Sequence, residues 1–410
     1  MRGSNIGPTH TILVLVLGCG GFISAADNWI VAPILPSIAE GLHVSVAQTA
    51  LILAAYMIPY GIMQPVHGHV SEAYGRLWLL RRLVLGLAVG TLGCSLSPSF
   101  AWLCVFRAVT GFFAAGLIAV SLALIGDRVP LPMRQFYVGR FMGIVFLGQA
   151  LSAALGGFLA QYVSWRIIFV LLTGMALLVF VLLLRLRISS PRKPLSNFLE
   201  QLALVMSSRK GRSIYILAFV AGYLLLGIYG FVGAFLQQEG GIGPLQAGGV
   251  LMLFGFASLA AGSSMGQIAR KTGRRGVAVT GAALGFLAAV LLVFSADWKV
   301  GALAMVMLGF GYVLVQSTLA TLAFEVGASG LSSGLVGLGL FGGGGVSSAV
   351  GSLILVHYGY EFLWCVSMSG AALLTLAFLK VRAAFAPEPQ STIHGDASSG
   401  SRKHLRRGKA

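Results

Sequence analysis

Asp27 lies in the run Ala26-Asp27-Asn28-Trp29-Ile30-Val31-Ala32-Pro33, and of eleven acidic residues in the chain it alone falls well inside a long apolar stretch. A carboxylate held in an apolar helix has its ionised form destabilised relative to its protonated one, which suits a group that takes up and releases a proton. Arg107, four residues after Leu103 in a second such stretch, is the only cation at comparable depth. An arginine in a membrane helix costs about 2.5–3.5 kcal/mol at the helix centre on insertion scales, and needs a partner or water. Asp27 and Arg107 are therefore expected to pair, alternating with protonation or as a static salt bridge. Snorkelling of Arg107 to the headgroups is the remaining alternative.

A second set of residues has the chemistry of a binding cavity. The polar side chains Asn28, Gln64, Gln149 and Gln316 and the aromatics Tyr56, Tyr60, Phe112, Phe146, Tyr229 and Phe310 all fall within apolar stretches. Together they suit an amphipathic or aromatic compound held by apolar contact and a few hydrogen bonds, although each aromatic has facing lipid as its alternative. Sugar or phosphate fits less well, for want of a basic cluster or a dense polar ladder in the stretches. Enzyme chemistry is not expected. His43, His67, His69 and His357 are scattered, Cys19, Cys94, Cys104 and Cys365 have no metal spacing, and no Gly-rich phosphate loop ending in Lys-Ser/Thr occurs. No metal or cofactor is implied, and the proton is the expected coupling ion.

The elements that must position these residues follow from composition. The chain is 57% hydrophobic and 10% charged, with a mean hydropathy of +0.90. Its apolar runs are each near the roughly 20 residues a helix needs to cross the hydrocarbon core. Lipid offers no partner for backbone N–H and C=O groups, so these runs must be helices. Twelve are expected, over 11–33, 46–67, 80–97, 101–125, 138–161, 166–186, 213–236, 246–269, 276–295, 300–324, 331–356 and 361–383. The first reads as a span and not as a cleaved signal, since eleven more follow.

The expected fold class is thus all-α and integral to the membrane, with twelve transmembrane helices in two pseudo-symmetric halves of six. The halves are residues 1–186 and 213–386, with a cytoplasmic linker at 187–212 and a disordered basic tail at 387–410. If both termini are cytoplasmic, 25 of the 28 lysines and arginines fall on that side, leaving Arg107, Arg166 and Lys299. That asymmetry sets the orientation. A net charge of +17 is explained this way, without a nucleic-acid partner. The halves also repeat a turn: Gly68-x-x-x-Glu72-x-x-Gly75-Arg76 recurs as Gly266-x-x-x-Arg270-x-x-Gly273-Arg274, displaced by 198 residues. Two halves related by such a repeat are a transporter architecture with the substrate path between them.

On these residues the chain resembles the major facilitator superfamily, and its first half resembles the twelve-span drug:proton antiporters. The superfamily turn is matched by Gly68, Glu72, Gly75 and Arg76, with Glu72 for aspartate and Leu77 for the second basic residue. It implies a conformational latch there and, through Gly266, Gly273 and Arg274, in the second half; an ordinary topology-setting turn is the alternative. Arg107, Thr110 and Gly111 resemble the family's fourth-span motif and Asp27 its acidic first-span motif, which implies proton coupling by Asp27 and Arg107. The fifth-span antiporter motif keeps Gly148, Gly156 and Gly157, but Ser152 and Ala153 stand where Gly-Pro belongs, so helix packing through small residues is kept and a kink is lost.

The expected function is proton-coupled efflux of a hydrophobic or amphipathic small molecule by alternating access in the cell (inner) membrane, and the resemblance implies a monomer. A symporter or facilitator importing a metabolite is the first alternative, and the altered fifth-span motif favours it. A transporter-like sensor or assembly factor is the alternative from another class.

Overall fold

In a computed structural model of the chain, residues 8–186, 188, 197–326, 330–381 and 385 are described, and among them there are helices and no strands. The expected tail at 387–410 lies outside these residues, as does most of 187–196.

The first half contains α1 (Pro8–Trp29), α2 (Leu35–Leu42), α3 (Val46–Tyr74), α4 (Arg76–Leu96), α5 (Phe100–Arg128), α6 (Leu131–Tyr162) and α7 (Trp165–Arg185). A 3-10 turn at Ala32–Ile34 joins α1 to α2, so the two make one bent span. Pro36 lies in the first turn of α2, where its missing N–H goes unused. The entry into α3 is fixed by a capping box: Gln48 N–H donates to Ser45 Oγ at 3.2 Å and Ser45 N–H to Gln48 Oε1 at 3.1 Å. Between α3 and α4 the only non-helical residue is Gly75, whose φ of 100° favours glycine.

The second half contains α8 (Phe198–Ser207), α9 (Arg209–Ala221), α10 (Gly227–Gln238), α11 (Pro244–Phe294), α12 (Trp298–Val326) and α13 (Gly330–Lys380). At 51 residues, α11 and α13 would each be about 75 Å long if straight, more than twice the hydrocarbon thickness. Each is two helices meeting at a glycine in the left-handed region, Gly273 at φ 70° and Gly359 at φ 76°. With α9 and α10 forming one span through a π-helical turn at Gly222–Leu226, twelve membrane-length segments result among the described residues.

Part of the expected linker at 187–212 carries regular structure. Its second portion is helical: α8 spans Phe198–Ser207 and α9 begins at Arg209. Asn197 and Ser208 cap these helices, accepting from Leu199 N–H at 3.1 Å and Gly211 N–H at 2.8 Å. Phe198, Leu202 and Val205 recur at helical spacing and pack on the core, while Leu199 and Leu204 stay exposed.

The two halves meet along two helix pairs, α3 with α13 and α6 with α11. Many large apolar side chains, among them Leu96, Phe294 and Leu353, remain exposed on the outer surface, as a lipid-facing surface requires.

Candidate functional site

Asp27 stands near the end of α1 and Arg107 in the first third of α5. Arg107 Nη1 donates to Asp27 Oδ1 at 2.8 Å and Nη2 to the Asp27 carbonyl at 3.1 Å. Both side chains are 0% exposed. The guanidinium carbon lies 4.2 Å from the centre of the Tyr56 ring, on α3, in cation–π geometry. This contact depends on Gly111, one turn along α5, where a Cβ would sit 2.1 Å from the Tyr56 carbonyl oxygen. Tyr56 OH donates to the Ser24 carbonyl at 3.3 Å, and Ser24 Oγ to the Ala114 carbonyl at 3.1 Å, which ties α1, α3 and α5 together. Asp27 Oδ2 and Arg107 Nε have no hydrogen-bond partner. A buried pair of this kind loses several kcal/mol per ion in desolvation and is strongly destabilised when one partner is removed.

Beside the pair, between the halves, is a cavity of about 610 Å³. Asn28, Gln64, Gln149 and Gln316 line it, with Tyr60 and Phe146. Four aromatics expected there are elsewhere. Tyr56 is sealed beneath Arg107, with Tyr60 stacked between it and the cavity. Phe112 points outward, 39% exposed, against His67. Tyr229 lies below the cavity in an aromatic floor, and Phe310 packs at the rim of the core. Residues missed from sequence also line the space: Trp29, Tyr312, Phe341 and Arg134. Asp27 and Arg107 do not line it, although Ser24 and Asn28, on the same helix as Asp27, do.

Among the described residues, the cavity is closed at one end and open at the other. Gly126, Arg134, Phe324 and Ser333 line it toward the helix ends that carry Arg76, Arg128, Arg274 and Arg275. The opposite end is closed first by an aromatic floor, with ring centres 4.5 Å apart for Trp29–Tyr229 and 5.0 Å for Trp29–Phe254. Beyond it α6 and α11 touch backbone to backbone. A Cβ on Gly157 would lie 2.2 Å from the Pro244 carbonyl oxygen, and one on Gly248 2.4 Å from that of Ala153. Gln237 Nε2 to the Pro33 carbonyl at 2.9 Å and Ser352 Oγ to the Ala47 carbonyl at 2.7 Å also cross between the halves there. Three other small residues of α6 pack within the first half: Gly148 against the Phe22 carbonyl oxygen, Gly156 against Ile30, and Ser152 donating to the Gln149 carbonyl at 3.1 Å.

At the basic end, the repeated turns hold matching ion pairs. Arg76 Nε donates to Asp127 Oδ2 at 3.2 Å, with Glu72 3.6 Å from the same guanidinium; Arg76 also donates to Ser71 Oγ and, at 3.5 Å, to the Gly68 carbonyl. In the second half Arg274 pairs with Glu325, which also takes Lys210 at 2.9 Å. The partners are 51 residues apart in each half, so Arg274–Glu325 repeats Arg76–Asp127. Gly75 and Gly273 make the two left-handed turns, and a Cβ on Gly266 would meet nothing within 4 Å. Asp127, Glu325 and Lys210 went unassigned in the sequence reading of these turns; extending the 198-residue displacement from Arg76 to Asp127 finds the first two. Among the described residues, no ion pair crosses between the halves, and each turn binds helices of its own half.

Comparison with known proteins finds a match to the family model described as Major Facilitator Superfamily over residues 17–337. The MFS-type transporter YceJ of Bacillus subtilis is 24% identical over 260 residues, 62% of this chain and 65% of that one. The multidrug resistance protein fnx1 of Schizosaccharomyces pombe is 33% identical over 153 residues, and the MFS-type transporter TOXA of Cochliobolus carbonum 29% over 154. These alignments cover 37% and 38% of this chain, which spans 29% and 28% of the length of those two relatives. Among solved structures, the nucleoside transporter NupG superposes with a TM-score of 0.75 over 90% of this chain and 99% of its own, at 12% identity. At that identity the likeness bears on the fold alone.

Proposed function

The chain belongs to the major facilitator superfamily of membrane transporters, and from that premise we propose that it exports an amphipathic small molecule in exchange for protons. The observation that carries the reading is the Asp27–Arg107 pair, fully buried yet on the same helix as the cavity residues Ser24 and Asn28. Solute pressing on Asn28 bears on the helix turn that presents Asp27. Protonation of Asp27 removes the charge that Arg107 holds and lets α1 and α5 shift; loss of the proton draws them back. On the positive-inside rule the basic end is cytoplasmic, both termini lie there, and the cavity is open to the cytoplasm of a cell whose inner membrane holds the protein. Alternation then means parting α6 from α11 at the closed end and closing the cytoplasmic mouth. The working unit we propose is a monomer, as the resemblance to the superfamily implies, and the lining of the cavity by residues of one chain supports this.

The test is transport in proteoliposomes with an imposed pH gradient, comparing wild type with Asp27→Asn. Gradient-driven accumulation should vanish in the variant, while movement of solute down its own gradient persists. Gradient-driven transport at the wild-type rate in Asp27→Asn refutes the coupling. Ser152 and Ala153, in place of the Gly-Pro of the antiporter motif, favour a second reading, proton symport. In symport the solute and the proton enter the vesicle together, and in antiport they cross in opposite directions.

A further inference from the structure

Arg134 is the one charged residue among the described residues that line the cavity. It stands in the first turn of α6, and among the described residues its side chain makes no ion pair or hydrogen bond; its Nε is buried without a partner. A guanidinium that is partly desolvated and unpaired is costly and is relieved by an anion, which its fork of donors binds well. Among the described residues, the acids of the basic end are already engaged, Glu72 and Asp127 by Arg76, Glu325 by Lys210 and Arg274, and Glu200 by Asn197. Asp27 is held by Arg107 behind Tyr56. None of these described acids fills the anion position at the cavity mouth, which is open to a group that enters it. No side-chain cap closes the start of α6, so its first-turn amides add positive potential on the same side.

The rest of the lining says what the anion is attached to. Deeper in, Trp29, Tyr60, Tyr312 and Phe341 offer apolar aromatic surface, and Gln149 presents a buried Nε2 with no partner. On the reading that this cavity carries the solute, we infer that the solute is an amphipathic monoanion, a carboxylate on an aromatic or aliphatic body, whose head group is received by Arg134. A lipophilic cation meets no negative group among the described lining residues.

The test measures binding to purified full-length protein in detergent by equilibrium dialysis. The probes are 2-naphthoate, its amide, the isosteric naphthylmethylammonium and dodecanoate. Wild type should bind the naphthoate about tenfold more tightly than the amide, the low end for a charge-assisted hydrogen bond. Arg134→Gln should abolish that preference while still binding the amide, which also shows that the variant folds. Arg134→Lys should keep part of the preference, and Arg134→Glu should transfer it to the ammonium. Dodecanoate binding more tightly than naphthoate, with the same dependence on Arg134, assigns the anion to fatty acids; the reverse order assigns it to soluble aromatic acids. A wild-type preference for the ammonium, or a naphthoate preference that survives in Arg134→Gln, overturns the inference while amide binding leaves the cavity reading standing. Filling the cavity with Gly337→Trp separates the two: if every probe still binds that variant, the cavity reading falls as well.

Discussion

Gly157→Ala tests whether the closed end of the cavity is a contact that must open. The added Cβ would sit 2.2 Å from the Pro244 carbonyl oxygen and 3.2 Å from the Gly248 Cα, both backbone atoms that no rotamer change can move aside. Restoring ordinary contact requires α6 and α11 to separate by about 1 Å, since non-bonded carbons prefer roughly 3.5–4.0 Å. Overpacking of this kind costs about 1–3 kcal/mol. If the cost falls only on the form in which these helices touch, the balance moves roughly 5- to 150-fold toward forms in which they are apart. Replacing glycine by alanine in a helix also brings about 1 kcal/mol of propensity, in the opposite direction. Gly139→Ala on the same helix controls for this, because its Cβ would meet nothing within 4 Å. The assay is pulsed electron spin resonance between labels at the exposed positions Tyr162 and Phe294, with Cys19, Cys94, Cys104 and Cys365 replaced. Gly157→Ala should enrich the longer separations and Gly139→Ala should not. Identical distributions in the two variants would refute the claim that this packing holds the end closed.

Arg107→Met leaves the Asp27 carboxylate buried alone and should cost roughly 3–5 kcal/mol in thermal unfolding of the detergent-solubilised protein, of which Asp27→Asn in the same chain should restore the larger part. A double variant no more stable than the single one would mean that the two residues do not act as a pair. At the basic end, Glu325→Gln removes the carboxylate that Arg274 and Lys210 share, whereas Asp127→Asn leaves Arg76 with Glu72. Each such pair contributes about 0–1 kcal/mol, so the global change is small. The local signature is faster amide exchange at the start of α9, which carries Lys210, in Glu325→Gln alone. Equal exchange in both variants counts against Glu325 as the anchor of that helix.

The membrane helices were legible because hydrocarbon allows few alternatives. A run of apolar residues long enough to cross it has to satisfy its own backbone, so length and composition determine both the type of element and the number of spans. Where that constraint lapses, the sequence reading lost its hold. The segment at 197–207 has Pro-rich and basic neighbours, and only its apolar spacing at Phe198, Leu202 and Val205 marks α8 within the linker. The π-helical turn at Gly222–Leu226 has no comparable sequence signal, since one extra residue in a helix turn leaves the hydropathy of the span unchanged.

The same physics separates the site residues that could be read from those that could not. An amide in a span has to face protein or water, so Asn28, Gln64, Gln149 and Gln316 all line the cavity. An aromatic ring is at home in lipid, in a core or in a cavity, and only Tyr60 and Phe146 of the six named line it. Asp27 and Arg107 stood out because each is an isolated charge in an apolar run, and opposite charges at equal depth have one cheap arrangement. Arg134 has the opposite history. In sequence it is one of many basic residues flanking a span, fully explained by topology, and nothing in its type or spacing sets it apart from Arg128 or Arg140. The fold distinguishes them: Arg134 turns into the space between the halves, whereas Arg140 lies over Phe136 beside an outer groove formed with α1. A charge that sets topology can therefore also select solute, and which arginine does both depends on helix rotation that hydropathy does not encode.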